Sequence, residues 1–258
     1  MTKMITIAIA NQKGGVAKTT TALCLANGLQ ECGYNVLMID MDPQCNTSST
    51  YRAVQQDTAT LYDFLHEECS IEEAIQTTES GDIISGDNHL AGIEGEFAAH
   101  IKNYSLLRKA LKKIDDKYDF AIIDTPPNIG FYMTSALVAA SGVIIPLKAE
   151  KFAIDGLAQI ISNINDAKDV NPDLEIYGVL LTVYDKRTAL DSLVHDQLPE
   201  IGKEQGFKVF NTSIRTCQQI KEAQSRQVRL FDEYPNCNAA IDYANLIKEL
   251  LEEVRHEK

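Results

Sequence analysis

Two lysines and two adjacent glycines lie in one short run that joins an apolar stretch to a helical pattern. Residues 11–20 read NQKGGVAKTT and follow the apolar residues 4–10, which predict a buried strand. Residues 19–29 carry apolar side chains at helical spacing. A loop in this position directs backbone N–H groups and a helix N-terminus towards an anion. The run therefore predicts a phosphate-binding loop, and the alternative for such a lysine-rich turn is a surface cap.

The lysine and threonine at the end of this run predict nucleotide chemistry. Lys18 would reach the outer phosphates of a nucleotide, and the Thr19 hydroxyl would hold the accompanying Mg²⁺. The run departs from the pattern G-x-x-x-x-G-K-[ST], because Gln12 and Ala17 replace its two glycines. If φ at Ala17 is positive, its Cβ costs on the order of 1 kcal/mol. The residues expected to bind the nucleotide here are Lys13, Gly14, Gly15, Val16, Ala17, Lys18, Thr19 and Thr20.

Aspartates end two other apolar segments. Asp40 and Asp42 end a strand predicted at residues 35–40, and their i, i+2 spacing directs them to the same side. Asp124 ends a strand predicted at residues 119–124. Ligands bind at the carboxyl ends of strands in open α/β sheets, and an aspartate there can hold Mg²⁺ through water. Aspartates also end strands as turn formers, but together with the phosphate loop these predict a nucleotide-hydrolysing site.

Apolar strand patterns alternate with helical patterns along most of the chain. This order predicts an α/β protein with a mostly parallel central sheet and helices on both faces, in a single domain over residues 1–258. Further strands are expected at residues 142–147, 175–183 and 207–210. Further helices are expected at residues 105–114, 132–140, 154–166, 190–204, 218–225 and 239–254. The pattern is irregular between residues 43 and 103, where a short strand is indicated at residues 82–85.

Composition favours a soluble cytoplasmic protein. No apolar run approaches the ~20 residues of a membrane span, and the N-terminus lacks the layout of a secretion signal. The five histidines are scattered, and the cysteines include no C-x-x-C pair, so neither a zinc site nor a disulfide framework is predicted. The six cysteines are expected to be reduced thiols in the core or on the surface: Cys24, Cys32, Cys45, Cys69, Cys217 and Cys237.

The string KGGVAKTT resembles the deviant Walker A motif of the ParA/MinD family of P-loop ATPases. IDMDPQCNTS is similar to the switch segment of that family, and IIDTPPNIGFYMTSAL is similar to its Walker B region. The later segments GVIIPLKAEKFAIDGL, GVLLTVYDKRT and IRTCQQIKEA also resemble family segments. These matches cover nearly the whole chain except its irregular middle. They imply a P-loop NTPase fold that uses ATP and Mg²⁺.

The resemblance implies catalytic roles for Lys13, Lys18 and Asp42. Lys18 and Thr19 would bind phosphate and Mg²⁺, Asp42 would orient the attacking water beside the metal, and Asp124 would support the metal. Lys13 would reach across a dimer interface to the nucleotide of the partner. Binding of ATP would then join two chains into a homodimer, and hydrolysis would release them.

Three further residues match segments that face the base in relatives. Thr182, Ser213 and Ile214 are therefore expected near adenine. Cys45 occupies a place where the family more often has glycine, which bears on the mobility of the switch segment. These are expectations from resemblance alone.

The net charge of −13 speaks against DNA, whose binding depends on phosphate neutralisation by lysine and arginine. Between residues 212 and 230, however, four basic residues are opposed only by Glu222, a local balance of +3. The four are Arg215, Lys221, Arg226 and Arg229. In the partition ATPases that the chain resembles, basic residues of this portion bind DNA nonspecifically. The alternative is a solvated helix face with ordinary arginines.

The resemblance implies a weak ATPase that partitions plasmids or chromosomes on the nucleoid, stimulated by a ParB-like partner bound to DNA. Because the catalytic pattern begins almost at Met1, an N-terminal helix-turn-helix and sequence-specific operator binding are not expected. A MinD-like membrane ATPase is the first rival class, but the apolar stripe of the last helix favours core packing and no stable membrane association. The second rival class is an electron-transfer ATPase, which needs cysteines that bind an iron–sulfur cluster; no cysteine directly follows the Pro126-Pro127 turn of this sequence. The third is a noncatalytic nucleotide-gated scaffold.

Overall fold

Short apolar runs form one sheet in this computed structural model, which describes residues 3–256. Its strands are β1 (Ile5–Ile9), β2 (Val36–Asp40), β3 (Ile75–Thr78), β4 (Gly81–Ile84), β5 (Phe120–Asp124), β6 (Gly142–Lys148) and β7 (Glu175–Thr182). Their order across the sheet is β3-β4-β2-β5-β1-β6-β7. Only β3 pairs in antiparallel fashion among the described strands, at the edge beside β4. The prediction of a mostly parallel α/β sheet is confirmed.

Helices connect the strands and cover both faces of the sheet. They are α1 (Lys18–Glu31), α2 (Asn46–Thr50), α3 (Leu61–Leu65), α4 (Leu90–Ala98), α5 (Leu106–Leu111), α6 (Phe131–Ala139), α7 (Ala153–Lys168), α8 (Ala189–Gln205), α9 (Gln218–Arg226), α10 (Leu230–Glu233) and α11 (Asn238–His256). A 3-10 helix at Ile101–Ser105 precedes α5.

Alternate side chains of each central strand enter two separate cores. In β1, Ile7 and Ile9 pack with α1 and α11, whereas Ala8 packs on the opposite face with α6 and α7. In β5, Ile122 and Ile123 divide in the same way. Because successive side chains of a strand point to opposite faces, a strand that is apolar throughout must be covered on both sides. This accounts for the continuous apolar runs of the sequence.

The last helix completes one of these cores. Leu246, Ile247, Leu250 and Val254 are buried with α1 and the sheet, as expected for core packing. In residues 3–256, no helix combines the length and the apolar character needed to cross a membrane.

Two predicted elements differ from the structure. Residues 207–210 do not form a strand: Val209 makes one isolated parallel bridge to Val179, and a single bridge is too short to extend the sheet. The helix expected at residues 105–114 is shorter: α5 begins at Leu106, directly after the 3-10 helix, and ends at Leu111, three residues before the predicted end. The irregular region contains α2, α3, β3, β4 and α4, whose short lengths give little periodicity. The strand indicated there is confirmed as β4.

Candidate nucleotide-binding site

The phosphate loop joins β1 to α1 and is held in place by buried side chains. Asn11 Nδ2 donates to the carbonyl oxygen of Pro146 at 2.7 Å, and Asn11 Oδ1 accepts from the backbone N–H of Lys13 at 3.0 Å. On the other side, Thr182 Oγ1 donates to the carbonyl oxygen of Val16 at 3.0 Å. The shape of the loop is thus fixed by β6 and β7 as well as by its own sequence. Thr182, expected near the base, is fully buried and supports the loop.

Lys18 lies at the first position of α1 and closes the loop on itself. Its Nζ donates to the carbonyl oxygen of Lys13 at 2.9 Å, and the residue is buried. Burial lowers the pKa of Lys18, while the negative charges of Asp124 and Asp42 raise it. The ammonium group therefore stands close to two carboxylates in a site of restricted solvent access. Such a cation can neutralise the outer phosphates of a nucleotide.

Three aspartates lie close together at the ends of β2 and β5, and two of them, Asp42 and Asp124, are near this lysine. Asp40 and Asp124 are register partners at the ends of β2 and β5, and Ile9 at the end of β1 pairs with Asp124. Asp42 follows in the turn after β2, where its Oδ1 accepts from the backbone N–H of Gln44 at 2.9 Å. The structure brings Lys18, Asp42 and Asp124 together as predicted from the carboxyl ends of parallel strands.

Asp124 has one oxygen that is paired and one that is not. Its Oδ2 accepts from Thr47 Oγ1 at 2.8 Å, and the Thr19 hydroxyl also stabilises the carboxylate. Its Oδ1 is buried without a hydrogen-bond partner among the described residues. Burial, and secondarily the charge of Asp40, raise the pKa of Asp124. A buried carboxylate with a free oxygen is well suited to a cation or to a water bound to one.

These donors fit Mg²⁺, which prefers oxygen ligands and retains several waters. In the described part of the chain, no group of three or more His, Cys, Asp or Glu side chains is arranged to hold a metal ion. The Thr19 hydroxyl and the free oxygen of Asp124 would face the ion. Phosphate oxygens and water would complete its coordination.

Asp40 is a functional candidate to which the sequence reasoning gave no role. It is fully buried, and its Oδ2 accepts from both the backbone N–H and the Oγ of Ser48, at 2.8 and 2.7 Å. Its Oδ1 accepts from the backbone N–H of Asp42 at 3.1 Å. Asp40 therefore fixes the turn that presents Asp42. The i, i+2 spacing of Asp40 and Asp42 could have indicated this role, because a carboxylate buried at the end of a strand needs hydrogen-bond donors nearby.

Two residues that are not glycine adopt left-handed backbone at the entrances to helices of the site. Ala17 precedes α1 with φ 65° and ψ 33°, and Cys45 precedes α2 with φ 54° and ψ 31°. Gly15 also has positive φ, at 73°. The strain anticipated at Ala17 is present, since a Cβ in this region costs about 1 kcal/mol. The left-handed backbone at Cys45 is one that glycine adopts more readily than a residue with a Cβ.

Lys13 contacts its own chain. Its Nζ donates to Glu150 Oε1 at 3.0 Å and to the carbonyl oxygen of Phe152 at 3.1 Å. Gly156 gives the lysine stem room, because a Cβ there would lie 3.0 Å from Lys13 Cε. Phe152 has φ 68° and a side chain that is largely exposed. An exposed aromatic side chain and a lysine thus lie together at the margin of the phosphate loop.

A cleft of about 360 Å³ adjoins the loop and is lined by Ala17, Thr20, Ile214, Cys217 and Ile220, among others. Ile214, expected near the base, contributes to this wall. Ser213 precedes it and is not among the lining residues. The cleft is of a size and apolar character suited to part of a small ligand.

The predicted DNA-binding residues lie on and around α9, but most of their charge is already paired. Arg215 forms a fork on Asp242, Arg226 contacts Glu233 and Tyr234, and Arg229 contacts Glu31 and Asp232. Lys221 has no hydrogen bond or ion pair with another described residue. The local balance of +3 is therefore largely cancelled by acidic residues from elsewhere in the chain.

A lysine-bearing loop after a central strand, facing aspartates at the ends of two neighbouring strands, defines a P-loop nucleotide-binding protein. A protein family described as an AAA domain matches residues 4–176. The chromosome partitioning protein ParA of Caulobacter vibrioides is 38% identical over 258 residues, covering 96% of this chain and 94% of that protein. The sporulation initiation inhibitor protein Soj of Bacillus subtilis is 36% identical, covering 95% and 97%.

Solved structures agree with these relatives. Cobyrinic acid a,c-diamide synthase from Mycobacterium smegmatis, with bound ADP and magnesium, superposes with a TM-score of 0.83 at 29% identity, covering 99% of this chain and 97% of that one. The chain belongs to the ParA/MinD family of P-loop ATPases. It is an ATPase with a site for ATP and Mg²⁺.

Proposed function

We propose that this protein is a partition ATPase that dimerises on binding ATP, binds DNA nonspecifically and is stimulated by a ParB-like partner. It would act in the cytoplasm, on the nucleoid, to distribute a plasmid or chromosome. The observation that carries the proposal is the placement of Lys18 near Asp42 and Asp124, beside a second loop lysine, Lys13, in a chain similar to ParA and Soj.

In this proposal the site works by position and charge, as phosphoryl transfer to water requires. Lys18 and the loop N–H groups hold the phosphates, and Asp42 orients the attacking water. Thr19 and Asp124 would hold Mg²⁺, which would supply positive charge to neutralise the phosphate oxygens. Asp40 keeps the Asp42 turn in place through its three hydrogen bonds.

Dimerisation through Lys13 requires this side chain to give up its contacts within its own chain. Its ammonium group contacts Glu150 and the Phe152 carbonyl of its own chain, so it must leave both to reach a nucleotide across an interface. The ion pair is partly exposed, with the side chains of Lys13 and Glu150 25% and 41% accessible. An exposed pair of this kind is worth about 0–1 kcal/mol. Exchange of Glu150 for a nucleotide phosphate is therefore energetically accessible.

The trans role of Lys13 is tested by light scattering and nucleotide binding. We expect Lys13→Ala to bind ATP but remain a monomer with ATP and Mg²⁺, whereas Lys113→Ala, on an exposed lysine of the turn after α5, should dimerise like the parent. An ATP-dependent dimer of Lys13→Ala would show that Lys13 is not needed at the interface.

Asp42→Ala should dimerise with ATP but release little phosphate. Normal phosphate release by this variant would show that Asp42 takes no part in hydrolysis.

The partition function is tested by binding to random-sequence duplex DNA at one fixed low salt concentration. The protein is compared without nucleotide, with ADP and with ATP. We expect binding only with ATP, since two chains would then present their exposed basic residues together. Binding that is equal in all three states would contradict ATP control. If binding is absent in every state while phosphate release is normal, the cargo is not DNA and the ATPase assignment stands.

A further inference from the structure

Two cysteines that are 20 residues apart in sequence lie side by side in the structure. Cys217 immediately precedes α9, and Cys237 immediately precedes α11. The Cys217 side chain is close enough to Cys237 to raise the pKa of the Cys237 thiol, and the Cys217 thiol itself donates to Gln219 Oε1 at 3.1 Å. Both residues are partly buried and neither is in a disulfide. No short cysteine motif marks this pair in the sequence.

The backbone around the two cysteines is fastened independently of the thiols. The guanidinium of Arg215 forms hydrogen bonds of 2.7–3.1 Å with both carboxylate oxygens of Asp242 in α11. Its Nη2 also donates to the carbonyl oxygen of Asn238 at 3.4 Å, and its backbone N–H donates to Asp242 at 2.9 Å. The segment before α9 is therefore held against the first turns of α11.

The surroundings distinguish these thiols from the third cysteine nearby. Cys24 is buried within α1, and burial raises its pKa beyond the range of ordinary thiols, so it is inert towards dissolved reagents. Burial also raises the pKa of Cys237, but the backbone N–H groups of Ala239 and Ala240 oppose this effect. The Ala240 N–H lies 3.4 Å from the Cys237 sulfur. A thiolate at Cys237 would thus be stabilised by the first turn of α11.

We propose that Cys217 and Cys237 form a thiol-modification site that small-molecule disulfides convert into an intramolecular disulfide. The Cys217 thiolate attacks one sulfur of an oxidant such as glutathione disulfide, forming a mixed disulfide and releasing one glutathione thiolate. Cys237, deprotonated, then attacks the Cys217 sulfur and releases the second glutathione. The protein loses two electrons and two protons, and the oxidant becomes two thiols.

The consequence for the site rests on the proposed function, because it concerns the nucleotide cleft. Cys217 lines that cleft together with Ala17 and Thr20. A disulfide requires the sulfurs to approach to about 2.05 Å, closer than a hydrogen bond allows. The start of α9 would move towards α11 and carry the cleft wall with it. The same bond would tie together both ends of the segment that contains Lys221, Arg226 and Arg229.

The site itself is tested without any nucleotide. The folded protein is equilibrated with glutathione disulfide, its remaining thiols are alkylated, and its peptides are mapped without reduction. Besides the mixed disulfide that glutathione forms with the exposed Cys32, we expect Cys217 and Cys237 to lose their free thiols and a peptide pair to join these two residues. A mixed disulfide that persists on either residue, or a link from Cys24, would overturn the proposal. Cys32→Ser, at an exposed cysteine, is the matched control and should form the same link.

The effect on the cleft is tested with a fluorescent ATP analogue bound to reduced and oxidised protein. We expect the oxidised protein to bind at least about fivefold more weakly, the lower end of typical coupling between sites. The loss should reverse with reductant, persist in Cys32→Ser and be absent in Cys237→Ser. Equal affinity of the oxidised and reduced proteins, with the link formed, would overturn the coupling. If the reduced protein fails to bind the analogue, the proposed function fails while the peptide map still decides the thiol site.

Discussion

The phosphate loop and the basic segment around α9 were both expected to bind phosphate, and they differ in how their charges are placed. Lys18 of the loop lies against a backbone carbonyl with Asp42 and Asp124 nearby, in a pocket shaped by β6 and β7. The arginines of the basic segment lie at the surface and contact acidic side chains of the same chain. One region presents its charge to a ligand, and the other has largely satisfied its charge internally.

This difference shows what a charge count can and cannot predict. The partners of the loop lysine lie at the ends of adjacent strands, and parallel pairing places strand ends together. The partners of the arginines come from α1, α10 and α11 and include Glu31 and Asp242, which lie outside the counted window. A local sum over sequence neighbours therefore overstates the positive potential of a surface.

The largest effect should come from Lys18. We expect Lys18→Ala to weaken ATP binding by roughly 10–100-fold, since a charge-assisted bond to phosphate is worth about 1.5–3 kcal/mol. Removing a buried ammonium should not unfold the protein, because burial already disfavours its charged form. Isothermal titration with ATP and Mg²⁺ measures the change, with Lys113→Ala as the control. If Lys18→Ala bound ATP with unchanged affinity, the charge of the loop lysine would not be available to the nucleotide, and the loop would not differ from the basic segment in this respect.

The next effect concerns Asp124 and has opposite signs with and without ligand. Folding raises the pKa of Asp124, so the folded protein favours the neutral carboxyl group. The contribution of this group to folding stability is therefore present at low pH and is lost as the pH rises through the pKa of the folded state. Asp124→Asn should therefore stabilise the nucleotide-free protein at pH 8 by on the order of 1–2 kcal/mol, with little difference near pH 4. In the same variant, the stabilisation conferred by ATP and Mg²⁺ should shrink.

Urea unfolding at pH 4 and pH 8, with and without nucleotide, measures both signs for Asp124. Asp196→Asn is the control, since that side chain is 78% exposed and should show neither change. If Asp124→Asn destabilised the free protein at pH 8, the carboxylate would be a structural group and not one held ready for a cation.

The fold and the phosphate site were largely predictable because both depend on local patterns. Continuous apolar runs required coverage on two faces, and their ends placed Lys18, Asp42 and Asp124 together. Asp40 was overlooked because its role depends on Ser48, a donor in a five-residue helix that has no periodic signal. The contacts of Lys13 depend on Glu150, which is 137 positions away in the chain. The extent of the domain and the adenine contacts of Thr182, Ser213 and Ile214 remain predictions.

The basic segment offers a matched pair of single charges. Lys221 has no partner among the described residues, whereas Arg226 contacts Glu233 and Tyr234. In the ATP state, Lys221→Ala should weaken DNA binding and reduce the slope of log affinity against log salt by about 0.9 for each phosphate that is no longer neutralised. Arg226→Ala should change the slope less. Equal slopes for the two variants would mean that the ion pairs open when DNA binds, which would erase the contrast between the two regions.

The smallest effect concerns the strain at the entrances to α1 and α2. Ala17→Gly removes a Cβ from a left-handed residue, which gains about 1–2 kcal/mol, but adds about 0.5–1 kcal/mol of unfolded-chain entropy to be lost on folding. The net expectation is a stabilisation of about 0.5 kcal/mol. Cys45→Gly should not stabilise, because it also removes the hydrogen bonds of the buried Cys45 thiol to Pro43 and Asn88. Ala158→Gly, at an exposed position within α7, should instead destabilise by about 1 kcal/mol. Urea unfolding distinguishes the three variants, provided that the dependence of the unfolding free energy on urea concentration is the same for each. A loss of stability in Ala17→Gly would mean that the packing of the alanine methyl group in the loop outweighs the strain of its backbone.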